Sequence, residues 1–181
     1  MEDASAARPA AQEVSWREVF RRAPVASLLA TGLGTGLLPM APGTWGSLLA
    51  VALGEGLLRA AGFPGLVALA AASTVVGVPA AGRVASIRGR EDPPEVVVDE
   101  VAGQTIALAL LHAALPVAAP PLARWGLVLL AFVLFRVLDI AKPGWIDRLQ
   151  SLPGGWGVMA DDLLAGAVAG ILSAAAAFFL T

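Results

Sequence analysis

The chain has 181 residues, of which 57% are hydrophobic and only 14% are charged, and it contains no cysteine. A soluble domain usually carries about 25% charged residues, so this composition indicates a protein with much of its surface in lipid. The lack of cysteine excludes disulfides, thiolate zinc sites and cysteine nucleophiles. The net charge of −2 gives no basic footprint for a nucleic-acid partner.

Two parts of the chain are distinguished by composition, residues 1–23 and a main domain over 24–181. Residues 1–13 are rich in Ala, Pro and acids and are expected to form a mobile tail without the features of a cleaved signal peptide. In residues 15–22, apolar side chains recur at helical spacing beside three arginines. This pattern is typical of a short amphipathic helix at a membrane surface, and an ordinary helix docked on the domain fits it equally well.

The main domain begins with a glycine-rich stretch. Three glycines within residues 32–36 predict a broken or re-entrant segment over 25–38. The turn P-G-T-W-G-S follows, and Thr44 is predicted to cap a helix that begins near Trp45.

Five longer apolar segments come next, over residues 45–62, 64–82, 101–119, 122–138 and 163–180. Each is near the ~20 residues that cross a bilayer as a helix. We therefore predict an all-α fold, a polytopic membrane bundle of about four to five apolar helices joined by short loops.

The distribution of arginine predicts how this bundle is oriented. Arginines lie in the N-terminal helix and in the loop 83–95, the one clearly soluble stretch, and both regions are predicted to face the cytoplasm. Two crossings separate them, and counting onward places 139–161 on the same face. The polar residues at the cytoplasmic helix ends are then Thr44, Ser47, Asp99, Glu100, Asp139, Lys142, Asp161 and Asp162.

The first of three charged clusters is V-D-E-V-A-G-Q, which opens the segment 101–119. Glu100 and Gln104 share one face of a helix. Two acids at a helix N-terminus are also explained by the helix dipole alone. Gln104, one turn inside an apolar helix, needs a polar partner.

The second cluster is R-V-L-D-I-A-K-P, in which Arg136, Asp139 and Lys142 follow one another at intervals of three. This spacing allows all three side chains to share one helix edge. A structural ladder of ion pairs would explain it, and so would a phosphate site.

The third cluster is P-G-G-W-G-V-M-A-D-D. Its glycines, Gly155 among them, allow the backbone to approach a ligand closely. Asp161 and Asp162 are predicted to start the final helix, one facing the site while the other caps the helix.

Carboxylates gathered with cations in this way suit a hard metal ion and a phosphate. Mg²⁺ takes oxygen ligands, commonly one or two carboxylates with water and substrate phosphate. The predicted metal ligands are Asp99, Glu100, Asp139, Asp161 and Asp162, and the predicted phosphate-binding residues are Thr44, Ser47, Arg136, Lys142 and Gly155. The predicted catalytic residues are Asp99, Glu100, Asp139, Lys142 and Asp161.

With these motifs, the sequence resembles the phosphatidylglycerophosphatase A family of bacterial membrane enzymes. The matching motifs are P-G-T-W-G-S, V-D-E-V-A-G-Q, F-R-V-L-D-I-A-K-P and G-G-W-G-V-M-A-D-D-L-L-A-G, and they span about residues 31–170 in the family's order. The resemblance implies an α-helical fold, Mg²⁺ dependence and hydrolysis of phosphatidylglycerophosphate, a phospholipid, to phosphatidylglycerol and phosphate. Together with the apolar segments and the arginine distribution, it predicts a multi-pass protein of the bacterial inner membrane with its active site on the cytoplasmic face.

Zero cysteines and a single histidine exclude the cysteine-loop and paired-histidine routes of other lipid phosphatases. An aspartyl-phosphate mechanism is the other route, but no D-x-D-x motif supports it. We therefore expect direct attack by a water molecule that Mg²⁺ activates. The alternative function is a small transporter or channel with a carboxylate-lined ion path, which should hold its carboxylates near the bilayer midplane. Glu55 is the only acid well inside a segment, and His112 is expected to face a neighbouring helix or to transfer protons.

Overall fold

The computed structural model describes residues 13–116 and 119–180, and every regular element in those ranges is a helix. The predicted all-α fold is therefore confirmed. The α-helices are α1 (Trp16–Arg22), α2 (Pro24–Ala30), α3 (Pro42–Arg88), α4 (Val98–Ala114), α5 (Pro121–Ala141), α6 (Gly144–Asp147) and α7 (Gly155–Leu180). Short 3-10 turns at Thr35–Leu37 and Arg148–Ser151 precede α3 and α7.

Helix α3 is divided at Gly62, whose φ of 69° and ψ of −166° are not helical. Its two arms, 42–61 and 63–88, correspond to two separately predicted apolar segments. A Cβ atom added at Gly54 would lie 3.1 Å from the side chains of both Leu66 and Leu108. The second arm therefore folds back along the first, and both pack against α4.

Helix α4 lies at the centre of the bundle. Ten of its 17 residues are buried, and it packs mainly on α3 and α7. It ends at Ala114, short of the predicted boundary at 119, because Pro116 follows. In the described part of the chain, α3, α5 and α7 are long and apolar enough to cross a membrane. The number of crossings, with α3 in two arms, stays a prediction.

The N-terminal segment packs on this bundle. Val19 of α1 is buried with Val84, Val98 and Met159. The Arg88 guanidinium lies 5.2 Å from the centre of the Trp16 ring. The predicted helix is thus present and docked on the domain. The predicted break is also present, since the chain leaves α2 through a turn with positive φ at Gly32 and Gly34.

Three further predicted boundaries were wrong. The first arm of α3 begins at Pro42, so Thr44 lies inside the helix and Ala41 occupies the N-cap position. Proline suits a first helical turn because its missing N–H is unpaired there in any case. Helix α3 continues to Arg88, into the stretch predicted as a soluble loop. Helix α7 begins at Gly155, so Asp161 lies inside it and neither it nor its neighbouring aspartate caps a helix.

Candidate active site

The first turn of α4 supplies two acids. Val97 takes the N-cap position, and Asp99 and Glu100 lie in the first turn. The valines before them are buried, which fixes the start of the helix inside the bundle. Asp99 is buried, and the Glu100 side chain is 13% exposed. Both acids stand at the positive end of the helix dipole, but they are too enclosed to be merely solvated capping residues.

Helix α7 carries two more acids, and its close packing on α4 brings them near Asp99 and Glu100. A Cβ atom at Gly166 would lie 2.1 Å from the Gly103 carbonyl oxygen, so neither backbone position has room for a larger residue. Asp161 and Asp162 are both 2% exposed. Carboxylate oxygens of Asp162 and of the two α4 acids all lie within 4.8 Å of one another. This group of three, Asp99, Glu100 and Asp162, is referred to below as the acidic cluster.

The end of α5 and the start of α3 close a second side of this cluster. Arg136 donates a hydrogen bond to Asp139, and its Nη1 atom lies 3.6 Å from Glu100 Oε1. A Cβ atom at Gly43 would fall on the Glu100 carboxylate, so a larger residue there would displace the Glu100 and Arg136 side chains. Asp139 also lies beside Asp162. Arg136 therefore joins the predicted second motif to the acidic cluster.

Lys142 lies where α5 ends, in a left-handed conformation with φ of 38°. Its Nζ atom donates to Asp161 Oδ2 at 2.6 Å. Partial burial acts to lower the pKa of Lys142, but the hydrogen bond and charge of Asp161 outweigh it and raise the pKa above its ordinary value. The side chain is thus held as a cation at the mouth of the site. Asp139 and Lys142 do not form a ladder, because each pairs with a different partner.

Burial changes the acid strength of the α4 carboxyl groups. It raises the pKa of Glu100 to about 7, although the hydrogen bond with Asp99 acts in the opposite direction. Burial, followed by the charges of Glu100 and Asp162, raises the pKa of Asp99 well above its usual range. Without a further positive charge, these groups resist ionisation.

The oxygens of the cluster fit a hard divalent cation. Asp99 Oδ1, Glu100 Oε2 and Asp162 Oδ2 are buried and have no hydrogen-bond partner in the described part of the chain. A bound cation would give each oxygen a partner and lower the repulsion between them. Asp139 and Asp161, the other two predicted metal ligands, are paired with Arg136 and Lys142, although Asp161 Oδ1 is also buried without a partner.

The remaining predicted phosphate-binding residues are Ser47, Thr44 and Gly155, and two of them already have contacts within the protein. The Ser47 hydroxyl donates to the Gly43 carbonyl at 2.9 Å and is fully buried, so its proton is used within α3. Thr44 is half-buried beside Gly43. A Cβ atom at Gly155 would overlap the Val78 carbonyl. The close approach at Gly155 is therefore between two backbones.

One neighbour of the site had no sequence signal. Gln150 donates its side-chain N–H to Asp161 Oδ2 at 2.9 Å. It lines a cleft of 530 Å³ between the end of α3 and the loop before α7, together with Asp92, Ser86 and Ser151. An isolated glutamine in a loop has no periodicity or spacing that would have indicated this contact.

Glu55 and His112 lie apart from the site. His112 Nε2 is 2.7 Å from Glu55 Oε1, and Arg124 Nη2 donates to Glu55 Oε2 at 2.7 Å. His112 follows Glu100 by three turns, about 18 Å along the helix axis. The histidine therefore faces a neighbouring helix, which was the first of its two predicted roles.

Comparison with known proteins finds a matching family and relatives that cover most of this chain. The family model described as phosphatidylglycerophosphatase A matches residues 28–177. A Bacteroides thetaiotaomicron protein, provisionally named a phosphatidylinositol-3-phosphatase, is 42% identical over 154 residues, which cover 82% of this chain and 91% of the relative. Phosphatidylglycerophosphatase A of Haemophilus influenzae is 37% identical, covering 76% of this chain and 80% of the relative.

Phosphatidylglycerophosphatase A of Escherichia coli is 36% identical over 149 residues, or 80% of each chain. No solved structure matches the chain. The family match covers all three charged motifs and the helices that carry them. The chain belongs to the phosphatidylglycerophosphatase A family, whose members are phosphoric monoester hydrolases.

Proposed function

We propose that this protein is an Mg²⁺-dependent lipid phosphatase that hydrolyses phosphatidylglycerophosphate to phosphatidylglycerol and inorganic phosphate, in phospholipid biosynthesis. The observation that carries the proposal is the acidic cluster, whose three carboxylates lie within 4.8 Å of one another and each have one buried oxygen without a hydrogen-bond partner. Such a group is costly unless a cation compensates it. The family match supports the reaction class, and the cluster would hold the ion.

The chain's own residues divide into two roles in this proposal. Asp99, Glu100 and Asp162 would hold Mg²⁺ through oxygen atoms that have no other partner. Lys142 and Arg136 would bind the oxygens of the phosphate, since both are cations at the edge of the cluster. The carboxylates that pair with them keep these cations in place before substrate arrives.

In the reaction, a water oxygen bonds to phosphorus while the bond from phosphorus to the glycerol oxygen breaks, and the leaving oxygen gains a proton. Bound Mg²⁺ would neutralise phosphate charge and make a water molecule more acidic. Lys142 and Arg136 would stabilise the charge that spreads over the phosphate oxygens in the transition state. Burial of the cluster strengthens these interactions because little water screens them.

Exposed tryptophans support a membrane position for the site. Trp45, Trp145 and Trp156 are each about half exposed, and they lie in the first turn of α3, in α6 and in the first turn of α7. Tryptophan is enriched at the headgroup level of membranes. This placement would bring the acidic cluster to the depth of a lipid phosphate, at the cytoplasmic face in the predicted orientation.

The transporter alternative has less support. Its intramembrane acid, Glu55, is already satisfied by His112 and Arg124. The other buried acids collect at helix ends around the cluster. A path for ions through the bundle would need unpaired carboxylates deeper inside.

The test is release of inorganic phosphate by purified protein from phosphatidylglycerophosphate in mixed micelles, with Mg²⁺ and with a chelator. Asp162→Asn serves as the inactive comparison. Phosphatidylinositol 3-phosphate and phosphatidic acid, offered in parallel, show whether the headgroup is selected. Phosphate release only with Mg²⁺ and fastest from phosphatidylglycerophosphate supports the proposal. Preference for another lipid overturns the proposed substrate, and full activity in the chelator overturns the Mg²⁺ dependence.

A further inference from the structure

The buried uncharged polar side chains of this bundle follow a consistent pattern. In the described part of the chain, all six buried Ser and Thr hydroxyls donate to the backbone carbonyl four residues earlier. They are Ser27, Thr31, Ser47, Ser73, Thr105 and Ser173. A hydroxyl that bonds its own helix needs no other partner, so these residues are compatible with an apolar interior.

Gln104 departs from this pattern. Its side chain is fully buried, and neither Oε1 nor Nε2 has a hydrogen-bond partner among the described residues. Its neighbour Thr105 is equally buried and fully satisfied. A primary amide in a dry interior loses both its donor and its acceptor interactions with water. A group with this cost indicates a partner that binds there.

The position of Gln104 in α4 shows where that partner lies. It follows Glu100 by one turn on the same helix face. In the opposite direction, Ala107 packs with Phe135 in an apolar cluster that offers no polar atom. Towards the N-terminus, the neighbour on that face is Glu100, whose Oε2 atom is buried without a partner. Along this face of α4, the adjacent unpaired polar group is therefore Glu100, a member of the acidic cluster.

We propose that Gln104 is a further residue of the cation site, with Oε1 binding the cation directly or through one of its water molecules. The inference rests on the Mg²⁺ dependence proposed above. An amide suits this place because the cluster already holds three carboxylates, and a fourth would add repulsion. The amide supplies a ligand oxygen without charge, and its N–H groups can donate to a neighbouring carboxylate.

The experiment compares Gln104→Leu with Thr105→Val, an adjacent buried polar residue that has its own partner. Thermal unfolding of the purified protein is followed as Mg²⁺ is added. For Gln104→Leu we expect the Mg²⁺ concentration for half-maximal stabilisation to rise about 10- to 100-fold, the range found for residues that support metal ligands. The metal-free melting temperature should stay equal or rise. Thr105→Val should keep the native Mg²⁺ dependence.

A second variant keeps the role of Gln104 testable if Gln104→Leu folds poorly. Gln104→Glu keeps the ligand oxygen, so it should bind Mg²⁺ at least as tightly as the native protein and should melt lower without the ion. Native Mg²⁺ dependence in Gln104→Leu, or weaker binding in Gln104→Glu, overturns the role of Gln104. If the native protein hydrolyses its lipid without Mg²⁺ and is not stabilised by it, the cation site itself fails, and this inference fails with it.

Discussion

Lys142 and Asp161 lie nineteen residues apart in the chain and are joined by a 2.6 Å contact between Nζ and Oδ2. The same oxygen accepts a second hydrogen bond from Gln150. The other oxygen, Asp161 Oδ1, is buried without a partner. This carboxylate therefore fixes the lysine at the end of α5 from a position inside α7, and the lysine ammonium is set at the mouth of the site.

Replacing Lys142 with arginine separates a catalytic from a structural role. A structural lysine would tolerate arginine, because the charge is kept. A compact ammonium that touches the transferred phosphate should not, since the planar guanidinium differs in reach and geometry. We expect Lys142→Arg to fold normally and to lose at least ~100-fold in kcat. Arg148→Lys, on an exposed residue of the adjacent loop, is the control, and near-native turnover of Lys142→Arg would make the lysine structural.

Neutralising Asp162 should have opposite effects on stability and activity. Asp162 lies among like charges in the buried cluster. Asp162→Asn removes a carboxyl group that can ionise only beside the Asp99 and Glu100 carboxyl groups, so it should raise the melting temperature of the metal-free protein at pH 8 while abolishing phosphate release. The exposed Asp147 provides the control as Asp147→Asn, which should change neither. A variant of Asp162 that keeps native turnover would show that this residue holds no metal.

The charged residues of the site could be predicted from the sequence because each stands out in an apolar chain. Their grouping at one end of the bundle followed from where the apolar segments begin and end. The depth of Asp161 and Asp162 inside α7 could not be predicted, since the helix starts with glycines that resemble a loop. Gln150 was missed because its contact depends on how a loop folds over α7.

The closeness of α4 and α7 is a second feature without a direct sequence signal, and it can be tested. A Cβ atom at Gly166 would meet the Gly103 carbonyl oxygen at 2.1 Å. Gly166→Ala should push the helices apart, lower the melting temperature and separate Asp162 from the α4 acids, with loss of activity. Gly126→Ala, where no atom lies within 4 Å of the new Cβ, should instead stabilise α5 by about 0.5–1 kcal/mol. Equal changes in the melting temperature of Gly166→Ala and Gly126→Ala would contradict a requirement for close packing of α4 on α7.

Stability of the metal-free protein should fall as pH rises. The pKa of Glu100 is about 7 when folded and 4.5 as a free side chain. Between these values the folded state binds more protons than the unfolded state, so the free energy of unfolding decreases with increasing pH. Melting temperatures in a chelator should therefore be higher at pH 5 than at pH 8, and Mg²⁺ should reduce the difference. Glu100→Gln should flatten the profile, whereas an unchanged slope would exclude Glu100 as its source.

Cysteine labelling can measure the orientation in the membrane, because the native chain has no cysteine. Ser86 and Ser151 are both exposed, and both line the cleft beside Gln150. Single cysteines at these positions should resist a membrane-impermeant thiol reagent in intact cells and react once the cells are opened.

The fold requires the two cysteines to give the same labelling result, since both positions face one cleft. Protection follows from the arginine distribution, because Arg90 lines the cleft, Arg83 and Arg88 lie at the adjoining end of α3, and arginines favour the cytoplasmic side. Labelling of both in intact cells would invert the orientation while leaving the site intact, and labelling of only one would contradict the fold.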